Sequence, residues 1–398
     1  MRTTAAGWIN LPILRMLSLY LFNPENDLAL AAGIANYTAP VLARKIRSDL
    51  QMLPMWVCES PAVLYADDND VNRGFLLRMK QDFPHLSRVG LWNRTSVPER
   101  VMPWGWSPAI AAELARAGVP HLPDEKALQA IRQLSHRGQT VGIFRRLRLP
   151  LMPESPVECF LLEEVEAAVR RFSDAVVKAP WSGSGRGVCR VSPDSLPSFR
   201  IWIESVIKKQ GSIMCERMLD GLQDFAMEFR VSGGDVRFAG YSVFFNNAQM
   251  SYDNAMVAST GLLREYLDEK SGGYDFDTLQ SQLREALCEI VPDDYEGYIG
   301  VDMLLYRRED GTVGVNPCIE MNVRTTMGVV ASVLGDSVVA DGKVGTMEVF
   351  YHKTKDDLAR YLSEKEKPVI ADGRLQAGTL LLTPVGDDTL YTATLTIS

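Results

Sequence analysis

The sequence predicts an α/β domain over residues 17–130 and, after it, a larger α+β unit. Three observations predict this. Strand-like and helix-like segments alternate up to about residue 130, as in a sheet layered with helices. Beyond it, strands pair across turn signals, Gly233-Gly234-Asp235 and Asp310-Gly311. Between two strand-like runs, VVKAPWSGSGRGVCRV places Gly183, Gly185 and Gly187 at alternate positions.

The elements follow in chain order. LSLYLF reads as a strand from Leu17 to Phe22, and APVLARKIRSDLQML has helical apolar spacing. MWVCE reads as a short strand, and SPAIAAELARAGV as a helix with proline early and glycine near its end. Trp104 and Trp106 in VMPWGWSP read as packing residues rather than a ligand clamp. NPENDLALA carries Asn23, Glu25, Asn26 and Asp27 past a strand end. That loop either lines a site, where α/β sheets place ligands, or caps the next helix. LSHRGQT belongs to a helix leading into a proline-broken segment, and VECFLLEEVEAAVRRF and LPSFRIWIESVIKKQG are helical. SIMCERML and DFAMEFRVSGGDVRFAGYSVFF read as strands, DTLQSQLREALCEIV as a helix, and YIGVDMLLYRREDGTVGVNPCIEMNV as a hairpin. Asn246 to Gly261 reads as a polar loop long enough to close over a substrate, with Tyr252 and Asn254 in it. GTLLLTP and TLYTATLTI form a final hairpin.

Composition narrows the function. The chain has 398 residues, 46% hydrophobic, with a formal charge of -8. General nucleic-acid binding would call for a basic face, so the charge argues against it while leaving room for a local basic pocket. Cys58, Cys159, Cys189, Cys215, Cys288 and Cys318 are scattered without a CxxC pair, and only four histidines occur. Neither a zinc site nor a disulfide framework fits, so idle thiols in a reducing cytoplasm are expected. The apolar run from Ile9 to Phe22 is broken by Asn10, Pro12, Arg15 and Ser18 and followed by NPEND. It lacks the small-residue cleavage site of an export signal, and Met16 is an alternative start. No segment approaches the ~18 unbroken apolar residues of a membrane span.

Glycine-rich loops hold phosphates because backbone N–H groups approach closely where no Cβ intervenes. Here the spacing is GxGxG, followed by a strand, so neither the GxxxxGK loop nor the GxGxxG turn applies. The run joins two strands: either a flap over a nucleotide or a flexible hairpin tip. Lys178, five residues before Gly183 on an apolar strand, favours the phosphate reading over simple snorkelling to solvent.

CIEMNVR supplies an acidic counterpart. Glu320, Asn322 and Arg324 alternate on one strand and so share a face. Such groups among apolar residues are costly unless something completes them, and Mg²⁺ takes such oxygen ligands together with phosphates. Counting back from a two-residue Asp310-Gly311 turn sets Asp302 opposite Ile319, and a bulge near Pro317 would bring it opposite Glu320. The bland alternative is a hairpin with its polar face in water. Between the two motifs, a strand ending in Glu216, Arg217, Met218 and Leu219 would form a hinge whose backbone reads an adenine edge. Met218 or Leu219 would pack on the ring, and Asp224 at the following turn would accept ribose hydroxyls.

In this order, VVKAPWSGSGRGV, CERML, GVDMLLY and IEMNVRTTMG resemble the ATP-grasp superfamily over residues 131–330. The resemblance implies an N-terminal lobe with the flap at 131–215, a C-terminal lobe with the metal site at 216–335, and an extension at 336–398 packed on that lobe. It implies ATP between the lobes, held by Arg137, Lys178, Ser182, Gly183, Ser184, Gly185, Arg186, Gly187, Glu216, Arg217, Met218, Leu219 and Asp224. It implies Mg²⁺, two ions with Mn²⁺ as an alternative, on Asp302, Glu320 and Asn322. Lys178 and Arg324 would be catalytic, Arg324 stabilising the transferred phosphoryl group or acyl phosphate. Arg137 departs from the lysine many members carry near that position, although a guanidinium fork also binds phosphate.

The implied activity is ATP-dependent ligation of a carboxylate to an amine or thiol through an acyl phosphate, in which the protein positions groups and neutralises charge. A small-molecule kinase and a nucleotide-binding regulatory module without turnover are the alternatives. Partners would be small-molecule carboxylates and amines, with no nucleic acid or membrane, and a homodimer as the commonest assembly. Arg230 and Arg237 read as solvated strand arginines rather than ligands for an acidic substrate.

Overall fold

The computed structural model describes residues 16–59, 61–183, 187–247 and 252–397. Its first sheet is parallel, from β1 (Ser18–Leu21), β2 (Ala62–Leu64), β3 (Val89–Leu91) and β4 (Arg100–Pro103), in the order β3-β2-β1-β4. A parallel strand covered on both faces should be apolar throughout, and LYLF is. Leu19 and Leu21 point into one core, and Tyr20 and Phe22 into another.

The second sheet is small and antiparallel: β5 (Val157–Cys159), β6 (Ala175–Lys178), β7 (Val188–Val191) and β8 (Ile213–Arg217), ordered β5-β8-β6-β7. The glycine run joins β6 to β7, whose last pair is Lys178 with Val188. The third sheet has nine strands among the described residues: β9 (Asp220–Ser232), β10 (Asp235–Asn246), β11 (Tyr252–Val257), β12 (Gly297–Arg307), β13 (Val313–Asn322), β14 (Gly345–Tyr351), β15 (Val369–Ala371), β16 (Arg374–Leu381) and β17 (Tyr391–Ile397). Their order is β13-β12-β9-β10-β11-β14-β17-β16-β15.

The cores tie these parts together unequally. Both cores that receive β1 also receive side chains of the nine-stranded sheet, Phe225, Met227 and Ile299 in one and Ala393 and Leu395 in the other. The small sheet keeps a core of its own around Val165, Phe172, Val177 and Ile203. A lobe whose apolar contacts are mostly internal can shift against its neighbour without breaking a shared core. Among the described residues no helix is long and apolar enough to cross a membrane.

Three expectations are corrected. MWVCE is not a strand: Leu53–Val57 is a 3₁₀ helix with Pro54 near its start, where a fixed φ and a missing N–H favour a tight turn, and the strand follows at Ala62. Asn246 to Gly261 is not one long loop, because Tyr252–Val257 pairs with both β10 and β14. The β12–β13 turn is longer than two residues: Arg307 pairs with Val313, and Arg308 N–H donates to Thr312 O at 2.9 Å.

Candidate active site

The acidic ladder forms where β13 carries an irregularity. Leu304 pairs with Asn316, but Asp302 pairs with Glu320, so four residues of β13 answer two of β12. Pro317 lies inside that shift, where a proline without an N–H interrupts the ladder at least cost. Asp302 thus stands opposite Glu320, through a shift of two residues where one is expected. Directly opposed residues share a face, and β9 adds Ala226 beside Asp302 and Glu228 beside Gly300.

Hydrogen bonds lock this face. Asn322 Nδ2 donates to Asp302 Oδ2 at 3.0 Å, and Arg324 Nη2 donates to Asn322 Oδ1 at 2.9 Å. Asp302 keeps a little exposure at the cleft floor, yet burial, with the Glu320 and Glu228 carboxylates, pushes its carboxyl well above the usual range. Two crowded carboxylates and an amide oxygen are a hard, oxygen-only donor set. A divalent cation would relieve their repulsion, so the residues fit Mg²⁺.

The glycine hairpin meets this ladder through Arg137. Its Nη2 donates to Glu320 Oε1 at 2.7 Å and to Ser182 O at 3.2 Å, and its Nη1 donates to Ala179 O and Ser182 Oγ, each at 2.6 Å. Ala179 N–H closes the hairpin on Gly187 O at 2.8 Å. Ser184, Gly185 and Arg186 lie outside the described residues. Lys178, nearly buried, pairs with Glu216 on β8 and reaches Ile319 O at 3.5 Å.

At the hinge, β8 ends at Arg217 and Met218-Leu219 leads into β9. Met218 N–H is already committed to Asp174 O at 2.9 Å. The Arg217 side chain turns outward to Phe172 O and Glu154. Asp224 is not in a turn but within β9, because the strand begins at Asp220. Burial raises its carboxyl, opposed by Asn246 Nδ2 at 3.0 Å and by the charge of Lys178. Arg237 is solvated as expected and pairs with Asp235 at 2.7 Å, but Arg230 is not: its side chain is largely buried and pairs with Glu59 at 2.9 Å, so neither is a free cation.

NPENDLALA is not a loop throughout: Asn26–Ala32 is helical, and the first turn of that helix meets the last rung of the ladder. Asp27 binds Arg324 through Nε at 2.9 Å and Nη2 at 2.8 Å. Burial opposes the Arg324 charge, but Asp27, with Glu320 and Asp302, holds its guanidinium above the ordinary value. A Cβ on Gly183 would come within 3.3 Å of Asp27 Oδ2, so the hairpin base abuts this pair. The helix start is anchored by Asn23, which donates to Gly105 O at 2.8 Å, and by fully buried Asn26. A Cβ on Gly105 would sit 2.4 Å from the end of the Asn26 side-chain amide, so only glycine admits that approach. Trp104 and Trp106 are buried as packing residues, Trp104 edge-on to Phe22 at 4.8 Å between centroids.

Glu228 was missed. It is 1% exposed, its Oε1 accepts from Thr326 Oγ1 at 3.0 Å, and its Oε2 has no hydrogen-bond partner. Burial pushes its carboxyl up to about 7, against Thr326 and Arg324. The two-residue spacing Asp224, Ala226, Glu228 was a readable signal that these share the ladder's face.

A glycine hairpin on a small antiparallel sheet is thus clasped to an acidic ladder on a large one. No family model matches the chain, and no curated protein matches it. Solved structures do. Biotin carboxylase from Campylobacter jejuni, as a β,γ-ATP complex, aligns with a TM-score of 0.50 and 11% identity over 96% of this chain and 87% of that one. The biotin carboxylase domain of Hydrogenobacter thermophilus 2-oxoglutarate carboxylase, with MgADP, ADP and bicarbonate, gives 0.47 and 13% over 82% and 84%. L-amino acid ligase from Bacillus licheniformis gives 0.44 and 14% over 96% and 93%. At these identities the Campylobacter likeness establishes the fold.

Proposed function

We propose that the protein is an ATP-dependent carboxylate–amine (or thiol) ligase. The observation that carries this is Arg137, whose one guanidinium ties the base of the glycine hairpin to Glu320 of the ladder. Triphosphate between the hairpin and the ladder would meet Lys178, pre-oriented by Glu216, on one side and Arg324 on the other. Arg324 has four of its five N–H groups committed, to Asp27, Asn322 and Thr325 O, which leaves one Nη1–H. That donor, on a head group fixed at two carboxylate oxygens, suits charge developing on a transferred phosphoryl group.

Asp302, Glu320 and Asn322 would hold Mg²⁺, which when bound neutralises phosphate charge. Backbone around Met218 and Leu219 would border the adenine, and Asp224 the ribose. The substrate carboxylate takes the γ-phosphoryl group and releases ADP, and the amine or thiol then displaces phosphate from the acyl phosphate. The chain's residues supply position and charge throughout.

The test is ADP release from Mg-ATP across a panel of carboxylates, each with and without amines and thiols. Release that needs both partners supports the ligase. Tight nucleotide binding without turnover on any pair would leave a regulatory module instead. Lys178→Ala and Glu320→Ala should each lower Mg-ATP affinity or turnover at least tenfold with the fold intact, and wild-type turnover in both would end this reading.

A further inference from the structure

A cavity of about 370 Å³ lies on the N-terminal sheet, apart from the ladder. Asn23, just past β1, and Ser107, just past β4, both line it. In the order β3-β2-β1-β4 the chain leaves β1 toward β2 on one side and reaches β4 on the other. The crevice beyond β1 and β4 is therefore the switch point of the sheet, the place where parallel sheets take ligands. Its volume falls in the about 300–1,000 Å³ range of small-molecule sites.

Its charges are arranged in depth. Glu25 has a side chain only 10% exposed. Its Oε1 accepts from Arg47 Nη1 at 2.9 Å, while Oε2 is buried without any hydrogen-bond partner. Arg47 also holds Glu113, through Nη2 at 2.6 Å and Nη1 at 3.0 Å. Two carboxylates, the buried Glu25 and the partly exposed Glu113, thus share one guanidinium, leaving one Glu25 oxygen without a donor. An ammonium meets that deficit. At the rim the balance reverses: Arg44 and Arg116 line the cavity, are exposed, and have no ion-pair partner among the described residues. Two free guanidinium groups suit a carboxylate. Burial also raises the Glu25 carboxyl against the pull of Arg47, the direction expected where a further cation is wanted.

We infer that this cavity binds an α-amino acid, its ammonium toward Glu25 and its carboxylate toward Arg44 and Arg116, as a ligand held apart from the ladder. The binding stands independently of the ligase reading. One helix start serves both places: Glu25, its N-cap, lines the cavity, and Asp27 in its first turn holds Arg324 beside the glycine hairpin.

The test is calorimetry on the full chain with each of the twenty L-amino acids, then with the des-amino acid and the decarboxylated amine of the tightest binder. Loss of either group should weaken binding at least tenfold. Glu25→Gln should weaken the amino acid and the amine at least tenfold and leave the des-amino acid unchanged. The exposed pair Arg44→Ala with Arg116→Ala should do the reverse, sparing the amine. Affinity for a non-hydrolysable Mg-ATP analogue, measured on the same samples, checks folding. No binding by any amino acid, or binding indifferent to Glu25→Gln, overturns the inference. Amino-acid binding without nucleotide binding would instead overturn the ligase reading and leave this site standing.

Discussion

Arg137 Nη2 stands 2.7 Å from Glu320 Oε1 while its Nη1 holds Ser182 Oγ at 2.6 Å, so one side chain joins the hairpin to the ladder. Lysine keeps the charge but offers a single point of attachment in place of a planar fork. Arg137→Lys should therefore lower kcat/KM for Mg-ATP at least tenfold while far-UV circular dichroism stays unchanged. Unaltered kinetics would mean the clasp is incidental.

Lys178 and Glu216 form a nearly buried pair, so removing one partner strands the other. Lys178→Met should cost about 3–5 kcal/mol of stability and weaken ADP binding at least tenfold. In the double variant with Glu216→Gln, most of the stability should return and the affinity should not. Recovery of both would reduce Lys178 to a structural role.

Asp27 and Arg324 join the helix start to the last rung of the ladder through two hydrogen bonds under 3.0 Å. A double-mutant cycle with Asp27→Asn and Arg324→Lys, read by urea unfolding, should return a coupling of about 1–3 kcal/mol. Additive effects would show that the two are not energetically linked.

Glu228 carries a folded-state pKa of about 7 against an ordinary 4.5. A raised carboxyl stabilises the fold fully below pH 4.5 and loses that contribution as pH climbs through about 7. The window spans about 3 kcal/mol, at about 1.36 kcal/mol per pH unit. Asp302, raised in the same direction, steepens the trend, and Arg324 opposes it. Without nucleotide or metal, Glu228→Gln should gain stability over wild type between pH 5 and 8, approaching it at pH 4. A gap independent of pH would show that Glu228 is already protonated throughout.

The Gly105 approach to Asn26 sets the helix start that carries Asp27. Gly105→Ala should cost about 1–3 kcal/mol through overpacking and lower turnover alongside it. Full activity with unchanged thermal stability would show that the helix start yields freely.

What the sequence determined was local. Period-two spacing put Glu320, Asn322 and Arg324 on one face, and GxGxG followed by VCRV made the glycine run a link between strands, because strand alternation and turn chemistry depend on near neighbours. Pro317 marked the irregularity that brought Asp302 to Glu320, although the turn feeding it was longer than the dipeptide implied. Tertiary structure alone decided the partners. Asp27 and Arg324 lie 297 residues apart, and Arg137 and Glu320 lie 183 apart. β11 became a strand only because β10 and β14 flank it. The charge on Glu228 turns on what covers it rather than on its neighbours in the chain. Which side chains meet across such separations is set by how three sheets close on shared and separate cores, and no window of sequence contains that packing.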